Sequence, residues 1–107
     1  MSAPPGRQPQ RATFDDFLIE AVNEALVKAF DASTAKAVGF YVDPHILANN
    51  PDAYADSVLR MFGKAGGEVV LNSITKTITQ KANMPPDTKW RSLRDCVTTV
   101  AKRFRPA

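Results

Sequence analysis

The side chains of this 107-residue sequence that could carry chemistry are few and scattered. His45 is the one histidine, and Asp43, two residues earlier, is the nearest carboxylate that could orient its ring as a general base. Its place in a loop beside Pro44 reads more simply as a solvated polar residue. Cys96 is the one cysteine. Flanking Arg and Lys would favour a thiolate, but Leu93, Val97 and Val100 surround it at helical spacing, which describes a buried structural thiol. Asp52 and Asp56 share a helix face at i, i+4, as paired acid and base carboxylates must. They also stand in the first turns of a helix, where the dipole favours acids without any catalytic role. No nucleophile–base pair emerges, so the expectation is a non-enzyme with no catalytic residues and no cofactor. One histidine and one cysteine cannot compose a zinc set either.

Gly63-Lys64-Ala65-Gly66-Gly67 has the outline of a phosphate loop. The true motif needs an earlier glycine where Val58 stands, a Ser or Thr where Ala65 stands, and a strand in front. The glycines are better read as a turn that lets two helices approach closely. The strongest lead is a set of cations near the C-terminus. On a helix, Arg91, Arg94, Thr98, Lys102 and Arg105 fall within about 80° of one another. They could contact phosphates or an acidic protein surface, with Arg7 and Arg11 adding to them, or they could be an ordinary solvated face.

Apolar periodicity supplies the elements that must position these groups. Residues 1–12 hold three prolines and little apolar side chain, which predicts a disordered tail. Thr13 then caps a helix over 14–30, with Asp15 and Asp16 in its first turn. Phe14, Leu18, Ala21, Val22, Ala25 and Leu26 share one face, and Ile19 and Phe30 widen it to half the circumference. That width suits either a central helix flanked by two others or a partner or dimer face. Asp31 or Ser33 caps a second helix over 34–42, which Pro44 ends, although Gly39-Phe40-Tyr41-Val42 has high β-propensity. A loop over 43–50 leaves room for one helical turn.

Asn50-Pro51-Asp52 is a cap, a proline at the first helical position and an acid, so it opens a third helix that Gly63 stops. Residues 64–67 form the link to a fourth helix over 68–81, with Val70, Leu71, Ile74 and Ile78 on one side at i, i+4, i+8. Its Val and Thr content keeps a strand open as the alternative. Asn83-Met84-Pro85-Pro86 breaks it. Asp87 caps a fifth helix over 88–104, with Trp90, Leu93, Val97, Val100, Ala101 and Phe104 inward.

Residues 13–60 carry eight acids against three bases, a net −5, and residues 81–107 carry seven bases against two acids, a net +5. Opposed halves attract each other, a second copy, or a polyanion. Apolar runs are far shorter than the roughly 20 residues of a membrane span, and the N-terminus lacks the apolar core of a secretory signal. A cytoplasmic protein without membrane contact is expected.

Ser33-Thr34-Ala35-Lys36-Ala37, Phe40-Tyr41, Asn50-Pro51-Asp52-Ala53-Tyr54 and Leu59-Arg60-Met61-Phe62-Gly63 are followed by a glycine-rich link into an apolar helix. Over about half the chain, from Ala21 to Ile78, this pattern resembles a group of small archaeal helical proteins of unknown function. The resemblance implies a compact helical domain in an archaeal-type cytoplasmic setting, and the group has no established activity to carry over.

The sequence thus predicts an all-α bundle of four to five helices over residues 13–105 behind a tail of residues 1–12. It points to a non-catalytic protein-interaction or regulatory module with a protein partner or a homodimer. The alternative is nucleic-acid binding through Arg91, Arg94, Lys102 and Arg105.

Overall fold

A computed structural model describes residues 9–104 of the chain, with side chains from Phe14 onward. Four α-helices and one 3₁₀ turn follow each other: α1 Pro9–Ala29, α2 Ala32–Tyr41, the turn Pro44–Ile46, α3 Pro51–Lys81 and α4 Leu93–Arg103. The architecture is the all-α bundle that the periodicity predicts.

Helix α1 begins at Pro9, ahead of the expected Thr13 cap. Proline suits the first helical position, and Gln10, Arg11 and Ala12 propagate a helix well, so α1 is drawn ahead of Thr13. The rest of the expected tail, residues 1–8, lies outside the described residues. Leu18, Ala21, Val22, Ala25 and Leu26 of α1 are buried, and α1 packs on α2, α3 and the 3₁₀ turn. Its wide apolar stripe is therefore that of a central helix.

Caps set most boundaries. Asp31 Oδ1 accepts the Thr34 N–H at 2.7 Å and opens α2. The Thr34 backbone N–H first, and then the Thr34 hydroxyl, hold the Asp31 carboxyl below its ordinary value. Asn50 Oδ1 accepts from the Ala53 N–H at 3.1 Å, with Pro51 next, to open α3. At the far end of α3, Asn83 takes the left-handed conformation (φ 58°), and the Met84 N–H reaches back to the Thr79 carbonyl at 3.1 Å. This is a helix stop with asparagine in the usual glycine role.

Gly63 lies inside α3 with φ 80° and ψ 170°, outside helical geometry. It divides α3 into an arm of residues 51–62 and an arm of residues 64–81. The expected link over 64–67 is instead helix, because one residue with positive φ suffices to turn the chain. The arms meet at Gly67, which is buried: a Cβ there would lie 2.9 Å from Leu59 Cα and 2.7 Å from Leu59 Cδ2.

The threonine-rich second arm is helix throughout, which removes the strand alternative. Thr77 Oγ1 donates to the Ser73 carbonyl at 2.9 Å and Thr79 Oγ1 to the Thr75 carbonyl at 2.7 Å. Back-bonding of this kind lets buried threonines sit in a helix with their hydroxyls satisfied. Val70, Ile74 and Ile78 face the core as predicted.

The C-terminal helix departs most from expectation. It starts at Leu93, not Thr88, and its cap is Ser92, not Asp87. Ser92 Oγ accepts the Asp95 N–H at 3.1 Å, and Asp95 Oδ2 accepts the Arg91 N–H at 3.0 Å. Serine followed three residues later by a carboxylate forms this reciprocal cap and outcompetes Asp87, whose neighbourhood is a turn closed by the Thr88 N–H on the Pro85 carbonyl at 3.0 Å. Trp90 consequently lies on the strap before α4, where its Nε1 donates to Thr79 Oγ1 at 2.9 Å.

The crossing of the two arms yields a paired test. Gly67→Ala pushes a methyl into Leu59 backbone and should cost about 1–3 kcal/mol, as overpacking does. Gly66→Ala meets only Phe62 Cβ at 3.4 Å. Replacing a helix-interior glycine there should be neutral or stabilising by about 0.5–1 kcal/mol. Urea denaturation of both variants measures the difference; equal effects would show that the close crossing is not a constraint.

Candidate interaction surfaces

The C-terminal cations do not form the single stripe predicted for them. Arg94, Thr98 and Lys102 are exposed on α4, whereas Arg91 precedes the helix, because the Ser92 cap starts α4 after it. Arg105 and Arg7 lie outside the described residues, and the side chain of Arg11 does as well. Arg94 Nη1 contacts Asp52 Oδ2 at 3.2 Å. A groove beside this pair is lined by Asn49, Asp52, Arg94, Thr98 and Lys102, so any phosphate entering it meets a carboxylate as well as cations.

The structure thereby ties one of the two carboxylates at i, i+4 to the basic set. Asp52 faces Arg94 while Asp56 stands exposed one turn along. An exposed carboxylate spent on an ion pair has neither the desolvation nor the paired environment that separates acid and base roles. His45 Nδ1 and Asp43 Oδ1 lie 2.9 Å apart, and the same oxygen accepts the His45 backbone N–H at 2.9 Å. That N–H first, and then the ring, hold the Asp43 carboxyl below its ordinary value. The His45 side chain is 72% exposed, so the pair is a solvated loop motif.

Cys96 is fully buried, and burial pushes its thiol up to about 12, with Asp95 adding to the rise and Thr79 opposing it. It belongs to the core, as its spacing predicts. Among the described residues no group of three His, Cys, Asp or Glu side chains gathers to hold a metal, and no helix is long and apolar enough to cross a membrane.

A second set of cations, Lys76, Lys89 and Arg91, lies around Trp90 with Glu68 and Asp87 among them. A groove between the second arm of α3 and the strap is lined by Leu71, Asn72, Thr75, Trp90 and Arg91, with Glu68 at its edge. On the other side of the ring, Lys76 and Lys89 line further shallow grooves with Thr88 and Pro86. The Thr79 hydroxyl fixes the indole between them, so the ring is a rigid wall shared by the grooves.

The most conspicuous surface is apolar. Phe40 is 81% exposed and Tyr41 77%, and Met61 on the first arm of α3 is 41% exposed. A depression beside them is lined by Tyr41, Val42, Ser57, Arg60 and Met61. Other aromatics are used internally: Phe14 and Phe17 meet Phe104 at 5.2 and 4.9 Å between ring centres, and Phe30 stacks on Phe62 at 5.6 Å. In the sequence, Phe40-Tyr41 stands out as a β-prone helix end and as part of the pattern behind the resemblance, not as a surface. The signal was present nonetheless: Ala35, Val38 and Val42 make the inward stripe of α2, which turns Phe40 to the opposite side.

No protein-family model, no curated protein and no solved structure matches the chain.

The buried thiol supplies a direct check on this map. With Cys96 held near 12 against an ordinary 9.0, native protein at pH 8 should alkylate about a thousandfold more slowly than an unfolded control. A native rate at pH 8 equal to the unfolded one would show an accessible, reactive cysteine.

Proposed function

We propose that this chain is a non-catalytic helical protein-interaction or regulatory module, and that its partner docks on the shelf formed by Phe40, Tyr41 and Met61. The exposure of two adjacent aromatic side chains carries the reading. Burying each is worth about 1.5–3 kcal/mol, and the fold leaves that gain uncollected. Aromatic side chains dominate protein interfaces when a partner desolvates them. The wide face of α1 is buried inside the molecule, and part of the opposed charge is matched there by Lys81 and Arg94. The shelf takes their place.

The test is a pull-down on nuclease-treated host extract, comparing the wild type with Phe40→Ser/Tyr41→Ser. Both residues are mostly solvent-exposed, so the double variant should keep its helical circular dichroism. The wild type should retain a protein that the variant loses. Identical capture by the two would eliminate the shelf as the docking face.

The second reading, nucleic-acid binding, is favoured by one observation: Lys76, Lys89 and Arg91 flank the fixed indole of Trp90. Cations beside an aromatic wall suit a single strand, whose bases stack while its phosphates are neutralised. Arg94 is the weaker candidate there, because Asp52 already engages it. Lys89→Ala with Arg91→Ala should flatten the slope of log K against log salt by up to about 1.4 units, at about 0.7 per single-strand phosphate contact. Absence of any binding at about 50 mM salt, where electrostatic affinity is high, removes this reading.

A further inference from the structure

We infer that the occupant of the aromatic shelf is a second copy of this chain, related by a two-fold axis; the inference rests on the shelf reading and specifies its partner. A two-fold interface places the same patch of both copies face to face, so it requires a surface that complements itself. This patch has the shape for that. Phe40, the most exposed large side chain, projects from the outer side of α2, and the next residue, Tyr41, lines a hollow with Val42, Ser57, Arg60 and Met61. Rotation about an axis between the two sets the knob of each copy against the hollow of the other.

The charge around the shelf supports the same occupant. Lys36 stands one turn before Phe40 on α2, and Arg60 lines the hollow, so two cations border the aromatics. Asp43 directly follows Val42, and Asp56 stands one turn before Arg60, so two carboxylates border them as well. Among the described residues Lys36, Arg60 and Asp56 make no ion pair. A polyanion, an acidic lipid surface or a strongly acidic protein would find attraction and repulsion in equal number here. A second copy brings both signs itself, and a two-fold rotation can oppose cation to carboxylate twice.

Area fixes the strength expected. At about 150–250 Å² per aromatic side chain, Phe40 and Tyr41 expose roughly 250–400 Å² together. Two copies double this to roughly 500–800 Å², and Met61 with the charged rim brings the total near the ~1,000 Å² threshold of a specific interface. The dimer is therefore of the weak, reversible kind, populated in the micromolar range and above.

The experiment is sedimentation analysis of the full chain from about 1 µM to 1 mM, at low and at 0.5 M salt. The wild type should pass reversibly from monomer to dimer. Phe40→Ser and Tyr41→Ser should each raise the dissociation constant at least tenfold while circular dichroism shows an intact helical monomer. Val69→Ser, which replaces another exposed apolar side chain away from the shelf, should leave it unchanged. Arg60→Glu should weaken association, and salt should weaken the wild type in the same direction. A monomer throughout the range overturns the second copy as occupant; the extract experiment then decides separately whether the shelf serves another protein. Association indifferent to Phe40 and Tyr41, or growth into open-ended oligomers, also overturns the two-fold shelf dimer.

Discussion

The crossing of the two arms of α3 is the constraint from which the rest of the bundle follows. Gly63 turns the chain with a single positive φ, and Gly67 lets the second arm come within contact of the Leu59 backbone. An approach this close brings Tyr54 and Val58 of the first arm and Val70, Ile74 and Ile78 of the second into one buried cluster. Helix α1 covers that cluster from one direction and α4 adds Leu93, Cys96, Val97 and Val100. The core is built mainly from small aliphatic side chains, which demands short distances between helices: Ala21, Ala25 and Ala35 are all buried. Tyr54 is the exception in size, and burial there raises the phenol's pKa and keeps it neutral. Had the arms been held apart by a longer link, this set of side chains could not have filled the space between them.

Charge then closes over the apolar framework. Lys81, at the end of the second arm, lies 3.3 Å from both Glu20 and Glu24 of α1, and these carboxylates hold its ammonium above the ordinary lysine value. Arg94 reaches Asp52 across the start of α3. Both contacts join the acidic half of the sequence to the basic half, so part of the −5/+5 split is an internal match. Partly exposed pairs of this kind are worth about 0–1 kcal/mol each. Their role is to select how α1 and α4 sit against α3, not to supply the stability of the fold. What remains outside is a dispersed positive surface on the strap and α4, with carboxylates interspersed.

Much of this was legible in the sequence, because caps and periodicity act locally. Asp31, the Asn50-Pro51 pair, Pro44, Gly63 and the Asn83 stop each mark a boundary through a hydrogen bond or a backbone preference that needs no tertiary information. The buried faces of α1 and of the second arm of α3 were equally plain. The start of α4 was not, since Asp87-Thr88 and Ser92-Leu93-Arg94-Asp95 both offer caps, and Trp90 fits the apolar stripe of a longer helix. The Ser92 cap is joined there by a contact from another element: the buried Thr79 hydroxyl of α3 accepts the Trp90 indole N–H and holds the strap off the helical path. The basic stripe failed with it, because its first member needed a helix turn that does not exist. The aromatic shelf was missed for a different reason. Hydrophobic periodicity marks faces wide enough to bury, whereas a two-residue outward pair is visible only once the inward stripe of α2 is fixed.

Helix α2 is also where interaction and folding are most directly linked. It has only 10 residues, below the roughly 12–15 at which even favourable isolated helices become marginal. Within it Ala35 and Val38 alone are buried, with Val42 just beyond its end, so one narrow stripe and the Asp31 cap hold it to the bundle. Its other side carries Lys36, Gly39, Phe40 and Tyr41 in solvent. Gly39 costs the helix about 0.5–1 kcal/mol relative to alanine and, at an exposed position, returns no packing for it. Any partner that covers Phe40 and Tyr41 binds only the ordered form of α2, and it stabilises that form by RT ln(1 + [L]/Kd). A partner docked at the proposed shelf would therefore act on the shortest α-helix among the described residues. Because α2 packs on α1, and α1 in turn on α3, occupancy at the surface is coupled to the order of the helices beneath it.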